Sequence, residues 1–207
     1  TASVVTVLKG IKNKVYNEDV IYAKGCAIRD TSRIGIRDAL NAAASADVVI
    51  MVMGGSSARD FSSEYEETSA AKVSANLISD MESGEGYDRA TLNLMGLQLE
   101  LIQEIRKLGK PIILVLIKGR PLLLEGIIQE VDAIIDAWYP GMQGGNALAD
   151  VLFGDYNPGG RLSISIPRSV GQLPVYYNPK RTGNRNKYLE EVGVPRYCFG
   201  YGLSYTS

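Results

Sequence analysis

Two unbroken apolar hexapeptides restrict the possible folds more than anything else in the sequence. Val48-Val49-Ile50-Met51-Val52-Met53 and Ile112-Ile113-Leu114-Val115-Leu116-Ile117 contain no polar residue. A strand that is apolar on both sides of its pleat has to be covered on both faces, as in a parallel sheet between helices. Helical periodicity accompanies both runs. Ile36, Ala39, Leu40 and Ala43 share one face, and Leu97, Leu101, Ile105 and Leu108 share another. A further strand is expected over Val131–Trp138. After it, the Gly141–Gly145 turn opens a helix with Ala147, Leu148, Val151 and Leu152 on one side. The expected class is α/β, a mostly parallel sheet sandwiched between helices in three layers, with a long loop and an irregular C-terminal tail. Residues 1–207 are read as one domain. Minor elements are expected as a helix in Val4–Val15, weakened by Gly10, a strand at Val20–Tyr22, a helix over Leu122–Gln129 and a strand over Leu162–Ile166.

The long loop, Gly55 to Asn93, exceeds the roughly 12–15 residues beyond which structureless connections tend to be functional or disordered. Its second half carries Ser83-Gly84-Glu85-Gly86-Tyr87-Asp88-Arg89. A carboxylate between two glycines has little bulk beside it and a pliant backbone, so it can press close to a ligand. Glu85 is therefore read as a proton-transferring acid. Asp88 and Arg89 support the loop by pairing with each other or with a neighbour. A purely structural Glu85–Arg89 pair is the competing reading, and Glu82, three residues earlier, is a rival acid. In parallel α/β sheets ligands gather beyond the carboxyl ends of the strands, which places Glu85, Arg120 and the Gly141–Gly145 turn on one rim.

Composition removes other chemistries. The sequence has no histidine, so triads of the Ser-His-Asp type, Cys-His nucleophiles and most zinc sites are excluded from this chain. Twenty-two basic and 23 acidic residues leave a net charge of -1, with no basic stripe to suggest nucleic acid or a membrane surface. Glu64, Glu66 and Glu67 lack calcium-loop spacing and read as a solvated acidic stretch. The glycine turn has neither dinucleotide-binding nor P-loop spacing, so it reads as a tight strand-to-helix connection. Cys26 and Cys198 read as small buried apolar residues rather than a bridge. No cofactor or metal is expected.

In order along the chain come Ser83 to Arg89, Leu92-Asn93-Leu94, Gln98, Lys110-Pro111-Ile112, Gly119-Arg120-Pro121, Ala137-Trp138-Tyr139-Pro140-Gly141, Ala149 to Gly154, Asn157 to Leu162 and Phe199 to Thr206. This series resembles the C-terminal α/β sandwich domain of family 3 glycoside hydrolases, the β-glucosidase and β-xylosidase group. The resemblance covers essentially the whole chain. It implies a retaining, exo-acting β-glycosidase whose separate N-terminal barrel supplies an aspartate nucleophile, while this domain supplies the acid/base glutamate at position 85; the alternative expectation is a non-catalytic α/β module that binds sugars or stabilises its partner domain. Oligosaccharide or glycoside substrates, a periplasmic or secreted location and inactivity of this chain alone follow as expectations. Met95 and Lys118 depart from the family pattern, where proline and asparagine are frequent.

Overall fold

The computed structural model describes residues 4–57, 67–68, 80–84, 88–178 and 188–206. Three strands form a parallel sheet in the order β1-β2-β3: β1 is Val49–Gly54, β2 is Ile112–Ile117 and β3 is Ala133–Asp136. In register, Val49 faces Ile112, Gly54 faces Ile117, and Leu116 pairs with Asp136. The two apolar hexapeptides are thus neighbours, and β2 lies between the other two strands.

Alternation along β2 divides the core. Ile112, Leu114 and Leu116 are fully buried beneath helices α2 (Ile34–Ala44) and α3 (Gln98–Arg106), packing with Ile36, Ala39, Leu101, Ile102 and Ile105. Val115 faces the other way, against Val7 of α1 (Val7–Lys12) and Leu148 of α4 (Gly144–Leu152). Burying each such aliphatic side chain contributes roughly 1.5–3 kcal/mol relative to exposure, so two-sided burial of β2 fixes the three-layer arrangement. The expected α/β class is the one observed.

Several minor elements differ from expectation. The first helix is only six residues, capped by the Thr6 hydroxyl, which accepts from the Lys9 N–H at 3.2 Å. Gly10 is there because α1 crosses α4 backbone to backbone: a Cβ on Gly10 would lie 2.0 Å from the Gly145 carbonyl oxygen. Val20–Tyr22 forms no strand, and Ile21 and Tyr22 are exposed. Leu122–Gln129 is not a helix: residues 122–124 are irregular and a run of turns covers 125–130, with Gly126 at φ 78°. Leu162–Ile166 contributes a single antiparallel bridge, Ile166 to Tyr197. Cys198 is exposed and Cys26 half-buried, and both are free; burial, then the nearby Asp30, pushes the Cys26 thiol up. Among the described residues no helix is long and apolar enough to cross a membrane.

Candidate active site

The carboxyl ends of the three strands are cross-linked into one rim. β1 ends at Gly54, whose φ of 140° favours glycine and whose Cβ would strike the Ile117 carbonyl oxygen at 1.9 Å. Gln98, the first residue of α3, is buried under this turn. Its amide oxygen accepts from the Gly54 N–H at 2.8 Å, while Nε2 donates to the Gly54 carbonyl at 2.9 Å and to those of Ile28 and Met95 at 3.2 Å. A side-chain amide that completes a backbone donor–acceptor pair substitutes for a missing strand neighbour. The loop after β1 therefore leaves from a fixed point.

The described stretch that begins at Asp80 is tied back to the sheet. The Asp80 carboxylate accepts from the Ile28 N–H at 3.2 Å, Arg29 Nη1 donates to the Met81 carbonyl at 3.0 Å, and the Glu82 N–H donates to the Ser56 carbonyl at 2.9 Å. The Glu82 side chain turns inward over Gly55, where an added Cβ would lie 1.8 Å from Glu82 Oε1. There it meets Arg89: Nη1 donates to Glu82 Oε2 at 2.7 Å, and the two side chains are 4% and 2% exposed. Arg89 Nη2 also donates to the Asn93 carbonyl.

Asp88 accepts from the Arg89 N–H at 2.8 Å and from the Arg120 guanidinium, which rises from the turn after β2. The backbone N–H first, and then Arg120, hold the Asp88 carboxyl below the usual carboxylate range. Glu85, with Gly86 and Tyr87, lies outside the described residues, as do Glu64 and Glu66. Among the described residues, the partner of Arg89 is Glu82.

A second cluster lies beneath the rim. Lys118, directly after β2, is 1% exposed. Its Nζ donates to Asp136 Oδ2 at 3.1 Å and sits 3.7 Å above the centre of the Trp138 ring. Asp136 Oδ1 is nearer, at 2.8 Å, as an ion-pair contact, and makes no hydrogen bond. Burial dominates over the ion pair and lowers the Lys118 pKa below 10.5. Trp138 has a φ of 51°, a left-handed conformation rare for a bulky residue. From there Tyr139 lies across Gly119, where a Cβ would stand 2.7 Å from the ring, and its hydroxyl accepts from the Ser57 N–H at 3.0 Å. The ends of β1 and β3 are thereby tied over β2.

The glycine turn after β3 is a packing device, as expected. Gly144 lies against the Pro140 ring and Gly145 against the Thr6 carbonyl. Asp132, just before β3, and Asp136, at its end, both make structural contacts. Asp132 accepts from the Ile112 N–H at 2.8 Å and pairs with Arg106, and Asp136 pairs with Lys118. Gln98 and Lys118 carry no role in the sequence reading, and Glu82, read there as a rival acid, is the ion-pair partner of Arg89. An amide or charge placed where an apolar residue would fit the pattern was the available signal.

Residues 1–205 match the family described as the glycosyl hydrolase family 3 C-terminal domain. The chain belongs to this family. A β-xylosidase from Formosa agariphila is 42% identical over 98% of the chain, and a periplasmic β-glucosidase from Salmonella typhimurium is 40% identical over 98%. Among solved structures, a β-glucosidase from Erythrobacter marinus matches 99% of the chain at 39% identity with a TM-score of 0.77. One from Listeria innocua matches 97% at 30% identity, also with a TM-score of 0.77. The chain spans 25% and 28% of the length of the two curated relatives. The family 3 domain seen here is thus about a quarter of such an enzyme.

Proposed function

We propose that this domain supplies the general acid/base of a retaining, exo-acting β-glycosidase that removes terminal β-linked glucose or xylose from oligosaccharides or glycosides, with Glu85 as the proton donor. The observation that carries the reading is the family 3 match over residues 1–205, with relatives named as β-xylosidase and β-glucosidase. The lack of histidine supports it, because this chemistry needs only carboxylates. The geometry around Glu82 supports position 85 over its rival: the Glu82 carboxylate is buried and already engaged by the Arg89 guanidinium at 2.7 Å.

In this scheme an aspartate of the N-terminal barrel attacks the anomeric carbon, and the Glu85 carboxyl gives its proton to the departing glycosidic oxygen as the C–O bond breaks. Water, deprotonated by the Glu85 carboxylate, then displaces the aspartate and restores both groups. The two carboxyl groups stand about 5–5.5 Å apart in retaining enzymes. The donor role calls for a carboxyl that keeps its proton near the working pH, which desolvation favours. The chain alone is inactive, since the attacking carboxylate is on the other domain. The periplasmic relative supports a periplasmic or secreted location.

The test is Glu85→Gln in the full-length enzyme. Turnover of substrates with poor leaving groups falls by about 10²–10⁴-fold, activated aryl glycosides lose far less, and azide partly restores turnover of the latter. Unchanged hydrolysis of poor leaving groups removes Glu85 from the mechanism.

A further inference from the structure

We propose that Lys118 is a latch: its ammonium group, held over the Trp138 ring, keeps Trp138 in its left-handed conformation and so keeps the Tyr139 strap closed across the end of β2. Among the described residues, Trp138 is the only non-glycine residue at positive φ, at 51°. A bulky side chain in that region is strained, and such strain persists only where the surroundings hold it. Lys118 holds it at two points. Its backbone N–H donates to the Trp138 carbonyl at 3.3 Å, and its Nζ lies 3.7 Å from the ring centre. Asp136, two residues before the ring, anchors the ammonium through contacts of 2.8 and 3.1 Å.

The charge carries the hold on the ring. A cation above an aromatic face is attracted by the ring quadrupole, and the attraction grows where water is excluded, as it is around the fully buried Lys118. A change of φ at Trp138 rotates the chain that follows it, beginning with Tyr139. The strap has little hold of its own. Tyr139 is half exposed, and its hydroxyl meets only Ser57, accepting from the backbone N–H at 3.0 Å and donating to the side-chain oxygen at 3.2 Å. Exposed hydrogen bonds contribute little net stability, because water replaces them. Closure therefore depends on Trp138, and Trp138 on the lysine. An open strap uncovers Gly119 and unties the ends of β1 and β3 at the rim where ligands gather in parallel sheets. The device is independent of which carboxylate donates the proton.

The experiment is hydrogen exchange at single-amide resolution in the full-length enzyme carrying Lys118→Met, which keeps an apolar stem and removes the charge. The Ser57 amide, which Tyr139 holds, exchanges about 10–30-fold faster than in wild type, the ratio that corresponds to a desolvated cation–π contact. Tyr139→Phe alone frees the same amide, and adding Lys118→Met to it changes Ser57 no further. Val115, fully buried within β2, reports global unfolding. Faster exchange at Val115 with Ser57 unchanged means that the lysine only stabilises the fold, and overturns the proposal. Additive effects of the two substitutions at Ser57 overturn it too, as does a crystal structure of the variant with Trp138 still at positive φ. If Lys118→Met fails to fold, Lys118→Met/Asp136→Asn, which strands no carboxylate, decides by the same Ser57 rate.

Discussion

Replacing Asp136 by Asn isolates the energetics of the lysine buried below the rim. The substitution keeps the side-chain shape but removes the negative charge facing Lys118 Nζ at 2.8 Å. An ammonium group at 1% exposure with no counter-charge is costly, and breaking such a pair commonly costs about 3–5 kcal/mol. Lys118 has a way out, because it can fold neutral. Shedding the proton costs about 1.36 kcal/mol for each unit between the ambient pH and the unfolded value of 10.5. That places a ceiling of about 5 kcal/mol on the damage at pH 7 and about 2 kcal/mol at pH 9.

The sign follows from linkage. A lysine whose folded pKa lies below its unfolded value binds fewer protons folded than unfolded in the intervening range, so stability rises with pH across it. The substitution lowers the folded value further and widens that range downwards. Urea unfolding of the 207-residue chain should therefore show Asp136→Asn destabilised by about 3–5 kcal/mol at pH 7 and by about 2 kcal/mol or less at pH 9. Trp138, the only tryptophan in the sequence, lies against Nζ and reports the ionisation through its emission. Destabilisation of equal size at both pH values, or an emission midpoint unmoved by the substitution, refutes the argument.

Leu114→Ala should cost about 2–5 kcal/mol, since this side chain is fully enclosed in the larger core; a urea midpoint within error of wild type would contradict that burial. Gly145→Ala should cost more than 1–3 kcal/mol, the usual range for overpacking, because the new methyl meets the Thr6 carbonyl at 2.0 Å and backbone cannot step aside; thermal unfolding measures it. Asp88→Asn tests the acid-side linkage. A carboxyl held below 3.8 contributes stability above that value and loses it as pH falls through the folded pKa, so the Tm gap between variant and wild type should close in strong acid. A gap that persists there contradicts the tie to Arg120 and the Arg89 N–H.

The central layer was legible because its signal is redundant. Val49–Gly54 and Ile112–Ile117 are both strands, but only Ile112–Ile117 is covered on both faces, while Val52 of the first is exposed; α2 and α3 carry their buried faces at helical spacing. Leu122–Gln129 misled because an apolar run after Pro121 fits a helix, while Gly126 at φ 78° belongs to a turn. Leu162–Ile166 alternates like a strand and is hydrogen-bonded at both ends, Leu162 to Gly200 and Tyr201 and Ile166 to Arg196 and Tyr197, yet only the Ile166–Tyr197 bridge has strand pairing; alternation cannot say how continuous the pairing is. In the site, the Gly-Glu-Gly heptad drew attention to Glu85, but the residue that holds Arg89 is Glu82. Charge pairing across seven residues of irregular chain leaves no periodic trace. Gln98 and Lys118 were equally silent, since each looks like an ordinary surface type until its burial is known.

The phenol of Tyr139 rests directly on the Gly119 backbone and reaches Ser57 on the far side. The height of that strap above the sheet is therefore set by one absent methyl group. A residue of any size at position 119 would lift the ring, detach its hydroxyl from Ser57 and let the outer strand ends move apart. The shape of the rim can thus be altered from a single backbone position.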